Sequence, residues 1–380
     1  MPLFMDRHNL PGVTSHDVAE AHLKDLKVQK EFGCLAMTYW IDEDRGNVFC
    51  LIESPDKEAV IEMHNRAHGL IPHDIIEVDS NLVKAFLGRI QDPDATPANV
   101  LAMPAKLTDP AFRIMLVLDL KDRLLFDCLH GQEKSSLLTR KFNLLVQQAV
   151  HHYSGDLIES SAEYLASFSS ATNAVDCALN LRNSIQLQNT CENLPKVEIK
   201  IGLSGGFPVA GSKDLFGEAI KKASRLSFLS GENIIYLSSQ VKDQYRGKAT
   251  QVFNSSRTIR ILNNDEDLFL DRLMDLFQTS IFEQGSTMEK YCLNLGVSAS
   301  KLYRSCIQLT GLSPNDLLSA IRLNTALELM QKQNKNTSET SFELGFANPS
   351  YFTKCFKKKF SVLPADFIKS LNPLSAISKI

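Results

Sequence analysis

The chain has 380 residues, 44% hydrophobic and 22% charged. That is apolar material for several closed cores, so wholesale disorder is excluded and two or three domains are expected rather than one. The net charge of −3 hides an asymmetry, because residues 271–380 carry 13 Lys and Arg against 9 Asp and Glu, leaving −7 for residues 1–270. A basic tail on an acidic body points to nucleic acid.

The apolar run Ile114–Leu118 stops at Asp119 and no stretch reaches 18 apolar residues, so no membrane-spanning helix and no membrane partner are expected. The opening MPLFMDRHNLPG lacks the basic and apolar stretches of a secretory signal. Eight cysteines without a CxxC pair read as reduced, mostly buried thiols. These features together predict a cytoplasmic protein. Two stretches, 92–111 and 254–267, break the periodicity and read as linkers. They divide the chain into domains at 1–92, 111–254 and 267–380.

The first domain alternates in chain order: strand Pro2–Asp6, helix His16–Phe32, strands Leu35–Ile41 and Val48–Glu53, helix Pro55–His68 and strand Ile75–Val78. The order β-α-β-β-α-β is ferredoxin-like. Ser54 and Pro55 predict the start of the second helix and Gly69 its end. Six of the nine histidines fall here. His64 and His68 stand four apart, so one helix face presents both and could chelate an ion. His8 ends the first strand beside Asp6, and Cys50 lies on a strand that could face the same helix. His16, beside Asp17, reads as a cap neighbour. A bland reading, with His64 and His68 on an ordinary helix surface and His8 in a turn, stays open. The segments MPLFMDRHNLPGVT, AHLKDLKVQKEFG, TYWIDEDRGNVFCLIESP and HNRAHGLIPHDIIEV resemble a small family of ferredoxin-like domains, some of which bind nickel. The resemblance makes His8, His64 and His68 candidate ligands of nickel or another divalent transition metal.

The middle domain reads as α/β: the apolar run at Ile114, a helix near Ser136–His152, a strand pair within 156–168, helix Ala171–Gln186, strand Val197–Leu203, helix Gly217–Leu229 and strand Asn233–Leu237. With IGLSGGFPVAGSKDLFGEAIKKASRL it resembles the class III adenylate/guanylate cyclase domain. Such cyclases need two metal-holding carboxylates, a glycine turn for phosphates, and an Asn and Arg for the transition state. The resemblance matches Asp119 to the first carboxylate, Asp214 to the adenine-selecting acid and Arg225 to the arginine. The glycine is replaced by Asp122, the second carboxylate falls at Ala162 unless Glu163 slips by one, and Lys221 replaces the Asn. No cyclase activity is therefore expected. The resemblance implies a homodimer, and Asp119, Asp214 and Arg225 leave room for a nucleotide or another small-molecule effector.

From Asp267 the pattern is helical to the end. Within Thr287–Leu309 a helix, a turn at Gly296 and a second helix capped by Ser298 form a helix-turn-helix, and Thr337–Phe360 repeats it across a connecting helix at Pro314–Met330. The motifs LGVSASKLYR, TGLSP, IRLNTAL and ELGFANPSYFTKCFKKKF, with Pro364, resemble the AraC/XylS family of transcription regulators. Double-stranded DNA is the implied partner. Ser300, Lys301 and Arg304 on the first recognition helix, and Asn348, Ser350, Tyr351, Lys354, Lys357 and Lys358 on the second, are the candidate contacts, with Lys359 beside them. Leu302, Tyr303 and Ile307 are expected to face inward, with Phe352 and Phe356 in the core. The whole predicts a multidomain α+β protein: a sequence-specific transcription regulator whose first two domains sense an effector or dimerise. An active cyclase fused to a DNA-binding domain is the competing reading.

Overall fold

A computed structural model describes residues 1–93, 107–158, 163–190, 195–230, 234–247, 258–283, 287–333 and 335–371. The first 93 residues form β1 (Leu3–Asn9), α1 (Ser15–Val28), β2 (Leu35–Asp42), β3 (Asn47–Glu53), α2 (Lys57–Ala67), β4 (Asp74–Val78) and α3 (Ser80–Leu87). The sheet runs β2-β3-β1-β4 with every pair antiparallel, the ferredoxin-like arrangement expected from the strand and helix order. Strand residues alternate between faces. Phe4, Asp6 and His8 therefore point to the helix layer, while Met5 turns to the opposite face with Trp40, Phe49 and Leu51.

Local capping departs from expectation at α2. Asp56 is its N-cap, accepting from Ala59 N at 2.8 Å, while Ser54 Oγ donates to the Asp56 carbonyl. The helix thus begins at Lys57, after Ser54 and Pro55 rather than upon them. Helix α3 was not expected, although Asp79 accepting from Asn81 N and Leu82 N supplies its start and Gly88 follows its last turn.

The central residues form β5 (Arg113–Leu120), α4 (Phe126–His130), α5 (Gln132–His152), β6 (Asp156–Ile158), β7 (Tyr164–Phe168), α6 (Ala171–Gln188), β8 (Ile199–Gly206), α7 (Gly217–Leu229), β9 (Ile235–Leu237), α8 (Ser239–Gln244) and β10 (Ile259–Ile261). The sheet order is β10-β9-β8-β5-β7-β6. Its β8-β5-β7-β6 core repeats the N-terminal connectivity, and β9 and β10 add parallel strands beside β8. Strand β10 lies in the stretch read as a linker, where three residues are too few to register as a pattern. Helix α7 lies so close to β8 that a Cβ on Gly202 would stand 2.2 Å from the Ala223 carbonyl, so only glycine fits there.

Among the described residues, seven helices follow: α9 (Asn264–Ser280), α10 (Met288–Leu295), α11 (Ala299–Thr310), α12 (Pro314–Gln333), α13 (Thr337–Glu343), α14 (Pro349–Phe360) and α15 (Pro364–Leu371). Their core includes Leu273, Phe277, Tyr291, Leu302, Phe352, Phe356 and Phe367, and it runs on into Leu125, Leu226, Leu229 and Tyr236 of the central domain. Tyr236 Oη donates to the Leu309 carbonyl at 3.2 Å. The other face of the central sheet packs Met115, Val117 and Leu165 against Met5 and Trp40. Among the described residues, no helix is long and apolar enough to cross a membrane.

Candidate metal centre and nucleic-acid interface

The register pairs Asp6 with Cys50 and His8 with Val48, so Asp6, His8 and Cys50 share the face covered by α1 and α2. Helix α2 delivers His64 and His68, and α1 delivers Asp25. His64 Nε2 lies 2.8 Å from Asp6 Oδ2, and its Nδ1 lies 3.2 Å from Asp25 Oδ1. His68 Nε2 is also 3.2 Å from Asp25 Oδ1, and His8 Nε2 is 3.3 Å from Asp6 Oδ1. Two overlapping donor groups result, Asp6-His8-Cys50-His64 and Asp25-His64-His68, each with its ligand atoms within 4.8 Å of one another. His64 belongs to both and is 1% exposed. The three candidate histidines are thus brought together. His16 is exposed, His22 pairs with Asp92 at 3.2 Å, and His73 Nδ1 accepts from Asn9 N.

Burial opposes charge on all of these groups, yet the charges hold one another. Burial would lower the His64 pKa, but Asp6 and Asp25 overcome it and raise it from 6.5 to about 10. Burial would likewise raise Asp6, but His8 and His64 hold its carboxyl well below the usual range. Asp25 is lowered against the same penalty by His64 and His68. Burial, with Asp6 and Asp25 nearby, pushes the Cys50 thiol up. An imidazolium therefore sits between two buried carboxylates, a place a divalent cation could take in exchange for a proton. The donor set fits such an ion on two further counts. His8 Nδ1 is buried without a partner among the described residues, and a cavity of about 50 Å³ is lined by His8, Asp25, Cys50, His64 and His68. Mixed imidazole, carboxylate and thiol donors suit nickel, zinc or copper.

In the C-terminal helices, α11 is capped by Ser298, which accepts from Lys301 N, and α14 by Asn348, which accepts from Tyr351 N. The turn before α14 needs Gly345, at φ +67° with the Glu283 carbonyl 3.2 Å from where a Cβ would stand. Ser300, Lys301, Arg304, Asn348, Ser350, Tyr351, Lys354, Lys357 and Lys358 are all exposed. Leu302 is buried as expected, but Tyr303 and Ile307 are not, at 54% and 39% exposed. They fall on the solvent side of α11, because Leu302, Cys306 and Leu309 already fill its inward stripe. Lys359 is exposed as well, but its Nζ donates to the Ala320 carbonyl at 3.0 Å, and desolvation of the ammonium, with Lys200 nearby, lowers its pKa to about 8.

The cyclase-related residues are dispersed. Asp119 ends β5 opposite Lys200, whereas Asp214 is exposed in the loop beyond the far end of β8. Burial pushes the Asp119 carboxyl up to about 7, with Lys200 opposing and Glu163 adding. Asp122 adopts φ +57°, the left-handed conformation a glycine takes without strain. Position 162 lies outside the described residues. Glu163 accepts from Ser224 Oγ at 2.8 Å. Arg225 is buried and engaged with α9 through Asp271, Asp275 and Gln278.

Residues 4–78 match the family described as nickel responsive protein SCO4226-like, and residues 291–370 match a helix-turn-helix domain family. The chain carries an SCO4226-like domain and an AraC-type helix-turn-helix domain. Among curated proteins it is similar to "Histidine kinase P4" of Formosa agariphila, 31% identical over 29% of this chain and 8% of that protein. It is also similar to the HTH-type transcriptional activator RhaS of Klebsiella pneumoniae, 28% identical over 22% of this chain and 31% of RhaS. The chain thus spans less than a third of the length of either relative. Among solved structures, SCO4226 from Streptomyces coelicolor is 39% identical over 20% of this chain and 94% of its own, with TM-score 0.19. An adenylate/guanylate cyclase/hydrolase from Silicibacter pomeroyi is 24% identical over 35% of this chain and 78% of its own, with TM-score 0.29.

Within the SCO4226-like domain, Asp25 escaped the sequence reading, and Asp6 and Cys50 entered it only as neighbours. A signal existed for Asp25: it stands three residues after His22 on the buried face of an amphipathic helix, where an acid is expected only with a partner.

Proposed function

We propose that this chain is a sequence-specific DNA-binding transcription regulator of the cytoplasm, with a divalent transition metal such as nickel as an effector of its N-terminal domain. One observation carries the DNA reading: two helix-turn-helix units share a core and leave Lys301, Arg304, Tyr351, Lys354, Lys357 and Lys358 exposed on their second helices. Long donors of this kind reach base edges and phosphates in the major groove. The metal part rests on the His64-centred cluster, with Asp6, His8, Asp25, Cys50 and His68 holding the ion.

The central domain joins the two ends and provides the dimer contact. It forms no cyclic nucleotide, because Arg225 is bound to α9, Asp122 stands where the resemblance expects the phosphate-turn glycine, and Lys221 stands where it expects the Asn. The test is titration of a labelled duplex pool with the full chain at several salt concentrations, with and without nickel. Tighter binding at lower salt, graded with metal, supports the reading. Absence of duplex binding at low salt removes it, and cyclic nucleotide formed from ATP with manganese removes the part concerning the central domain.

A further inference from the structure

The last turn of α11 is gripped from outside the helix-turn-helix units. Tyr236 of β9 donates its hydroxyl proton to the Leu309 carbonyl at 3.2 Å, and Gln308 Nε2 donates to Glu266 Oε1 in the first turn of α9 at 3.3 Å. The Leu309 carbonyl is one of the four that the end of a helix leaves without an intrahelical partner. Ile307 finds its partner in Gly311 N, whereas Leu309 finds one in the central sheet. Tyr236 is buried, its ring shares a core with Leu226 and Leu229, and the Arg260 guanidinium stands 5.8 Å from the ring centroid. A side chain locked by such packing aims its hydroxyl at a fixed point.

Helix α14 ends differently. Ser361 N donates to the Lys357 carbonyl and Lys359 Nζ to the Ala320 carbonyl of α12, and among the described residues no hydrogen bond joins α14 to the central domain. The ends of the two recognition helices are therefore fixed to different supports, the central sheet and the connecting helix. DNA makes that difference count. One base pair is about 3.4 Å of duplex axis, whereas the whole range of hydrogen-bond lengths spans about 0.5 Å. To meet a site whose two blocks stand one base pair closer or farther apart, α11 must shift against α14 by several times what the Tyr236 bond tolerates. The central domain is held back from following α11, because Leu125, Leu226 and Leu229 pack in the core that includes Leu327 of α12 and Phe352 and Phe356 of α14.

We infer that Tyr236 is a positioning residue for DNA recognition, whose bond to α11 sets the separation between the two base-pair blocks that the chain accepts. A changed separation breaks the bond, so the strength of the bond appears as discrimination between spacings. Tyr236 itself meets neither base edge nor phosphate, and through it the central domain contributes to the choice of site without touching DNA. This role rests on the DNA reading; the grip on α11 does not.

The test is selection from a random duplex pool at fixed salt by the full chain and by its Tyr236→Phe variant, which keeps the ring and its packing and loses only the hydroxyl. In the wild type one separation between the blocks should dominate. In Tyr236→Phe its excess over separations one base pair longer or shorter should fall by about 2- to 10-fold, the equilibrium factor of one hydrogen bond, with the bases inside each block unchanged. Ser227→Ala is the control. It removes a hydroxyl bond to the Lys200 carbonyl within the central domain and should leave the separations as in the wild type. The same spread of separations in wild type and Tyr236→Phe overturns the inference, as does equal broadening in Ser227→Ala, which marks a general loosening of the fold. Without DNA, amide exchange at residues 306–311 should quicken in Tyr236→Phe by a similar factor, and unchanged exchange there overturns the grip on α11. Selection that enriches no sequence with either protein removes the DNA reading and the role built on it, while the exchange result stands by itself, so the two fail separately.

Discussion

Replacing His64 with alanine in the metal-free protein should destabilise the N-terminal domain severely. His64 touches Asp6 at 2.8 Å and Asp25 at 3.2 Å, and without it Asp6 is left with His8 and the Cys50 N–H and Asp25 with His68. Removing one partner from a buried charge cluster costs about 3–5 kcal/mol. The rise of the His64 pKa from 6.5 to about 10 sets a ceiling of about 5 kcal/mol by linkage. The sign follows from the directions of the shifts. A raised histidine stabilises fully below its unfolded value of 6.5 and loses that contribution as pH rises through about 10. The lowered Asp6 and Asp25 carboxyls stabilise above their unfolded value of 3.8 and lose that contribution as pH falls. The difference between wild type and variant should therefore be widest between about pH 4 and 6.5 and shrink as pH rises from there towards 10. Trp40 is the only tryptophan and is buried in β2, so its fluorescence follows this domain during urea unfolding of the full chain in chelator. A loss of about 3 kcal/mol or more at neutral pH is expected. A loss below about 1 kcal/mol, or one that grows above pH 10, would refute the reasoning.

His68→Ala should weaken nickel binding by at least about 10-fold, while His22→Ala, whose ring is committed to Asp92, should leave it within about 2-fold; calorimetry distinguishes them. Lys301→Ala and Arg304→Ala should each weaken duplex binding by about 1–3 kcal/mol if the side chain reads a base, and by less if it meets phosphate. Unchanged gel-shift affinity at fixed salt would remove those assignments. Asp119→Asn should stabilise the protein more at pH 8.5 than at pH 5.5. The native carboxyl, raised to about 7, loses favour as pH rises through that value, with a ceiling of about 4 kcal/mol; thermal unfolding at both pH values checks the sign.

The first and last domains were legible because their signals are local. Alternating strands fixed the N-terminal order, and the turn at Gly296 with the cap Ser298, repeated in pattern across Thr337–Phe360, marked both helix-turn-helix units, whereas Asn348, expected as a DNA contact, caps α14. The metal cluster was half legible. His64 and His68 announce themselves by four-residue spacing, but Asp25 joins them only through the packing of α1 on α2, and Cys50 only through its pairing with Asp6. Strand β10 and helix α3 were missed because a three-residue strand and an eight-residue helix carry too little periodicity. Tyr303 and Ile307 misled because hydrophobicity alone does not reveal that Leu302, Cys306 and Leu309 already fill the buried stripe. The roles assigned to Asp119 and Arg225 came from motif position, whereas α9 binding to Arg225 depends on tertiary contact that no spacing encodes.

The most direct measurement is selection of bound sequences from a random duplex pool by the full chain, run in parallel in chelator and in nickel. Two helix-turn-helix units on one subunit predict an enriched site with two conserved blocks about 10 base pairs apart, recovered to different extents in the two conditions. Recovery of unenriched sequence in both, with binding that tracks salt alone, would contradict a metal-responsive, sequence-reading regulator.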